Sequence, residues 1–207
     1  MSLAQSRLGT IAALAASILL VLLALALSLP SLIHAEGKIK GMRPSDPQYT
    51  GPRDMNYDHT IVPGDRVGPA IIGASVRDVL KHLGNPDVVN RQFYFKGSGL
   101  PDVVYYWYTK GECIYFAWND SGIDPKIAFA GTDCSQWSLP GGIHVGSSMV
   151  DVNSFVGEYC PVTFKDGRFE VFTKTGIAFT AKNRNSPVTR IDVNTAHSGS
   201  WNGMCKD

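Results

Sequence analysis

Few residues of this chain are spaced for chemistry. Its five histidines, His34, His59, His82, His144 and His197, are scattered along 207 residues. A histidine works as a base or a metal ligand only with partners at workable positions. None of the five lies close to a cysteine pair, and no Cys-x-x-Cys occurs. His144 is near enough in sequence to approach Asp151, yet no nucleophile or oxyanion-hole signature accompanies it. No Walker loop or dinucleotide fingerprint is present. The expectation is a protein with no catalytic residue, no metal and no cofactor.

Two Ser-x-x-Asp pairs remain, in "GASVRDVLKHLGNP" (73–86) and "GSSMVDVNSFVGEY" (146–159). A catalytic role for Ser148 and Asp151 is the weaker reading, because helix capping explains both pairs. Ser75 and Ser148 stand three residues before Asp78 and Asp151, the capping-box spacing with Asp in place of Glu. The carboxylate also suits the positive end of the helix dipole. Val76, Val79, Leu80 and Leu83 then line one helical face, and Met149, Val152 and Val156 do so in the second phrase. Gly84 and Gly157 predict left-handed caps, and Pro86 bars continuation of the first helix.

Each helix phrase is followed by strand-like runs. The first set is "VNRQFYFK", "DVVYYWYT", "ECIYFAWN" and "KIAFAGT"; the second is "VTFK", "RFEVFTK", "GIAFTAK" and "VTRIDVN". They are rich in β-branched and aromatic residues, and short turns join them, which predicts antiparallel meanders. Alternation puts Ile114, Phe116, Trp118, Ile127 and Phe129 in one layer under a helix, and Ile177, Phe179, Ile191 and Val193 in another. The opposite face then carries Tyr105, Trp107, Tyr115, Ala117, Ala128 and Ala130 in the first set. In the second set it carries Glu170, Thr180, Arg190 and Asp192. Aromatic side chains over small neighbours bury much area with little entropy lost, which suits a contact surface. Tyr105, Trp107, Tyr115, Glu170 and Arg190 are the expected binding residues on this face. Leu100 and Asp102, in the turn "KGSGLPD", are expected to contribute a probing loop.

The four cysteines, Cys113, Cys134, Cys160 and Cys205, predict disulfides. Cys113 opens one strand and Cys134 follows the next, so a cross-strand bridge is reasonable; a bridge from Cys160 to Cys205 would pin the C-terminal tail. Sequence leaves all three pairings open. Disulfides imply an oxidising compartment. Residues 8–29, "LGTIAALAASILLVLLALALSL", carry no charge and would span about 33 Å as a helix, enough to cross a bilayer core. An uncleaved membrane anchor is expected, with a cleaved signal peptide ending near Ala35 as the alternative. The flanking charges, Arg7 before and Lys38, Lys40 and Arg43 after, favour the opposite orientation, but long domains cross largely regardless of charge. A formal charge of +1 gives no argument for nucleic acid.

The helix phrase "IIGASVRDVLKHLGNPDVV" followed by aromatic strands resembles the modules of β-lactamase-inhibitory proteins and of the related small lipoprotein of the outer-membrane assembly machinery. Gly73, Ser75, Val79, Gly84 and Pro86 carry the pattern, and Gly146, Ser148, Val152 and Gly157 repeat it, with Tyr159 in place of Pro. The resemblance covers roughly residues 66–194. It implies a surface that grips a protein, without assigning contact residues one by one. No lipid-accepting cysteine follows the apolar segment, since the first cysteine is Cys113.

The expected fold class is α+β: two tandem repeats, each a helical segment on one face of its own small antiparallel sheet, after an N-terminal hydrophobic helix. The expected divisions are 1–35 anchor or signal, 36–65 linker, 66–138 first repeat, and 139–207 second repeat with a tail. The expected function is a non-catalytic, extracytoplasmic protein-binding module of the cell envelope, membrane-tethered through residues 8–29, or secreted or periplasmic after cleavage. The alternatives are an accessory subunit of a membrane complex and, less favoured, an envelope hydrolase.

Overall fold

A computed structural model describes residues 39–92, 103–109, 111–119 and 124–194. The apolar segment at 8–29 therefore lies outside the described residues, as do Leu100, Asp102 and Cys205. Among the described residues no helix is long and apolar enough to cross a membrane.

The expected pair of separate helix-on-sheet units is corrected by the structure, which is mainly β. Strands β1 (Ile61–Val62), β2 (Arg66–Val67) and β3 (Ala70–Ile71) form a small sheet of consecutive neighbours. All the other strands belong to one eight-stranded antiparallel sheet. They are β4 (Val88–Gln92), β5 (Val103–Tyr108), β6 (Ile114–Asn119), β7 (Ile127–Thr132), β8 (Tyr159–Thr163), β9 (Phe169–Thr173), β10 (Ile177–Ala181) and β11 (Val188–Asn194). Their order is β4-β5-β6-β7-β11-β10-β9-β8. Among the described residues two helices accompany them, α1 (Val76–Leu83) and α2 (Met149–Val156).

The physical reason for one sheet is the pairing of β7 with β11. Thr132 faces Ile191, Gly131 faces Asp192, Ala130 faces Val193 and Phe129 faces Asn194. Two separate four-stranded sheets would leave the inner edges of both with unpaired amides and carbonyls. Joining them satisfies those edges and gives one core. Val76, Val79, Leu80 and Leu83 of α1 share a single buried cluster with Tyr106, Phe116, Trp118 and Ile127. Met149 and Val152 of α2 belong to that cluster too, with Phe179, Ile191 and Val193.

The two helix starts differ in chemistry. Ser148 Oγ accepts from the Asp151 amide at 3.1 Å and donates to Asp151 Oδ2 at 2.7 Å, a working cap. Ser75 Oγ instead donates to Asp124 Oδ1 at 2.8 Å, across to the turn before β7, and makes no side-chain cap. Ser148→Ala is therefore expected to lower stability by about 1 kcal/mol. Ser75→Ala should fall below half of that, because it removes an exposed contact only. Urea midpoints of the two variants check this; equal losses would contradict it. Gly84 and Gly157 both adopt positive φ, but with ψ of −164° and −110° neither forms the left-handed cap expected.

Residues 39–65 have little regular structure but are fastened along the domain. The buried Asp46 carboxylate pairs with Arg91 of β4 and accepts from the Arg43 amide at 2.7 Å. Tyr106 donates to Pro47 O at 2.6 Å, and Tyr49 and Asn85 exchange two hydrogen bonds. Lys40 bridges Val88, so this segment covers part of the outer edge of β4. Ile61 is fully buried. Composition alone reads this stretch as an extended linker because its fixing contacts, polar and apolar, are non-local.

Cys113 and Cys134 are bonded, with Cα atoms 5.6 Å apart, linking the start of β6 to the turn after β7. Cys160 is also disulfide-bonded, and its partner lies outside the described residues.

Candidate functional site

The sheet has a second face, turned away from the helices, and register defines it. Trp107 pairs with Tyr115, Tyr115 with Gly131, Gly131 with Asp192, Asp192 with Ala178, and Ala178 with Phe172. Residues opposite one another in a ladder project from the same face. This single row therefore runs from β5 to β9 on one surface. A parallel row holds Tyr105, Ala117, Phe129 and Asn194; a third holds Arg190, Thr180 and Glu170.

These rows enclose a hollow of about 300 Å³. Tyr105, Trp107, Tyr115 and Phe129 form its aromatic side, Phe172 stands across from them, and Glu170, Arg190, Asp192 and Asn194 supply its polar side. Tyr105 and Trp107 lie nearly parallel, 19° apart with centroids at 6.0 Å, and Phe129 meets Tyr105 edge-on at 5.4 Å. A smaller hollow of about 190 Å³ lies beyond Trp107 and Tyr115, against the Cys113–Cys134 bridge.

The polar side is an ordered network. Tyr115 reaches across β7 and donates its phenol to Asp192 Oδ1, while Arg190 Nε donates to Asp192 Oδ2 at 2.9 Å. Arg168 Nη1 donates to Glu170 Oε1 at 2.7 Å, and Arg190 Nη2 stands 3.9 Å from that same oxygen. Two guanidinium groups thus face two carboxylates. Burial raises the pKa of Asp192, even against the attraction of Arg190 and the Tyr115 hydrogen bond. Burial likewise raises Glu170, opposed by Arg168 and Arg190. For Arg190 burial works the other way, but Asp192, Tyr115 and Glu170 outweigh it and hold the guanidinium charged. Burial, then Asp192, pushes the Tyr115 phenol far above its usual range.

A raised Asp192 pKa has a definite sign for stability. The carboxyl takes up its proton at a higher pH folded than unfolded, so its contribution favours the fold below its folded pKa. That contribution is lost as pH rises from its ordinary value through the raised one. The stability of wild type relative to Asp192→Asn is expected to fall with rising pH across that window, read by urea unfolding at stepped pH. A difference that rises would contradict the assignment.

Of the residues expected from sequence, Tyr105, Trp107, Tyr115, Glu170 and Arg190 all line this one hollow. Leu100 and Asp102 fall outside the described residues. The alternation argument misplaces Phe129 and Ala130, because the β6–β7 register slips between Ala117 and Trp118. Ile127 stays in the core opposite Trp118, Phe129 turns to the hollow opposite Ala117, and Ala130 packs in the core opposite Phe116. A bulge reverses the faces of everything beyond it. Phe172, Ala178 and Asn194 are further members that sequence reasoning missed; Phe172 was legible, standing two residues after Glu170 on the same strand.

The three described histidines do not line this hollow; His34 and His197 lie outside the described residues. His59 packs on Trp137 with ring centroids 4.6 Å apart, His82 Nδ1 lies 2.9 Å from Asp54 O, and His144 Nδ1 lies 2.7 Å from Gly142 O. The Asp151 carboxylate accepts from Ser148, as the capping reading of that pair expects. Cys113, Asp133 and Cys134 cluster closely, but both sulfurs are held in the disulfide rather than as thiolate ligands.

No known family profile and no curated protein matches the chain. Among solved structures, the uncharacterized protein YfeY from Escherichia coli aligns with a TM-score of 0.45 and 13% identity. The alignment covers 64% of this chain and 98% of that one.

Proposed function

We propose that this chain is a non-catalytic binding protein of the cell envelope that holds a protein partner on the sheet face opposite its helices. The observation that supports this most is the convergence of aromatic residues from β5, β6 and β7 with charged residues from β9 and β11 around one hollow. Trp, Tyr and Arg are the residue types that dominate protein contacts when clustered around a pocket. The Cys113–Cys134 disulfide supports an oxidising location, and the uncharged stretch at 8–29 supports a membrane tether. The resemblance of the helix phrases to inhibitory proteins, which grip partners, points the same way.

Crosslinking pull-down from envelope fractions of the source cell tests the proposal, with the full-length chain and Trp107→Ala. Trp107 is half-buried at the rim, so its truncation should leave the fold intact while reducing capture of a specific protein at least tenfold, the loss of a strong contact residue. Undiminished capture by the variant would remove the face from the account.

A further inference from the structure

We infer that the hollow is built to receive a neutral aromatic side chain with a hydroxyl tip, namely a tyrosine presented by the partner. The inference rests on the proposed binding face and concerns what enters its centre.

Charge excludes the ionic occupants first. Arg168 and Arg190 stand against Glu170 and Asp192, so the polar side is balanced. Both carboxylates already hold a guanidinium partner, so an entering ion would bury its charge without a free counter-charge. A neutral group avoids that cost. The aromatic side asks for a flat ring: Tyr105, Trp107 and Phe129 face Phe172 across a hollow of about 300 Å³.

The polar side then discriminates among rings. Arg190 uses Nε on Asp192, which leaves its terminal nitrogens to offer donors; Nη2 is too far from Glu170, at 3.9 Å, for a hydrogen bond. Glu170 offers acceptor oxygens beside them. A phenol both donates and accepts, so it satisfies donor and acceptor together. An indole only donates, and a phenylalanine ring leaves both unsatisfied.

The test uses the isotope-labelled full-length chain in detergent micelles, reading the Trp107 indole N–H resonance by NMR. The probes are N-acetyl-tyrosinamide, N-acetyl-phenylalaninamide, N-acetyl-argininamide and glucose. The tyrosine probe should shift the Trp107 signal and bind about tenfold more tightly than the phenylalanine probe, the worth of one net hydrogen bond. Arg190→Gln should erase that preference. The wild-type comparison stands even if the variant does not fold. Equal binding of the two aromatic probes, or tighter binding of the arginine probe or glucose, would overturn the inference. If no probe moves Trp107 while the pull-down still captures a partner through Trp107, the tyrosine inference fails and the binding face survives. If neither happens, both fail.

Discussion

Trp137→Ala is expected to destabilise the protein by about 3–5 kcal/mol, the range for removing a large buried aromatic side chain. Trp137 is fully buried although it lies in the connection between β7 and α2. Its ring stacks on Tyr57, 10° from parallel with centroids at 6.3 Å, and sits against His59. Its indole nitrogen donates to Glu112 O at 2.5 Å. Gly68, with φ of +51°, lies so close beneath the ring that a Cβ there would stand 2.8 Å from one ring carbon and nearer still to another. This one side chain joins residues 57–59, the three-stranded sheet and the segment before β6. Its loss opens a cavity at the meeting point of all three and leaves Glu112 O with the Gln136 side-chain amide as its remaining donor. With total stabilities of about 5–15 kcal/mol typical of domains, the change takes a large share. Urea unfolding monitored by far-UV circular dichroism measures it; a loss under about 1 kcal/mol would show that the ring is not structural.

Gly131→Val is expected to lower stability by about 2–3 kcal/mol and to disrupt the hollow at the same time. Gly131 is the β7 residue over which Tyr115 lies on its way to Asp192. A Cβ at Gly131 would run into the Tyr115 phenol and stand 2.7 Å from Asp192 Oδ1. Either the tyrosine leaves its place or the β7–β11 pairing opens. Combining Gly131→Val with Tyr115→Ala vacates the space, so the double variant should be more stable than the sum of the single losses by about 1–3 kcal/mol. Strict additivity would mean that the two residues do not oppose each other as described.

How much of this was readable beforehand varies by element. The α1 face Val76, Val79, Leu80, Leu83 was legible because helical periodicity and a glycine stop coincide. The Tyr105, Trp107 and Tyr115 surface was legible because period-two alternation holds without interruption along β5 and β6 up to the bulge. Glu170 and Arg190 were assigned to the same type of face, but nothing local brings them next to Tyr115. That proximity depends on β7 meeting β11, a pairing between residues about sixty apart in sequence whose partners leave no local mark. It is also why two sheets were expected where one exists. The bulge at Ala117/Trp118 was hidden for a different reason. It adds a residue without any glycine or proline to announce it, so Phe129 reads as core while it lines the hollow. The one signal available for the Tyr115–Asp192 link was Gly131, an interior strand glycine beside an aromatic neighbour, which marks a close approach.

Site-specific photo-crosslinking in the intact source cell tests the binding face most directly. A photoreactive phenylalanine analogue is placed at Tyr105, at Phe172 and, as a control, at Val150 of α2, which is 73% exposed on the helix side. The account predicts one protein adduct of the same mass from positions 105 and 172 and none from 150. Adducts from 150 alone, with the sheet-face positions silent, would contradict it.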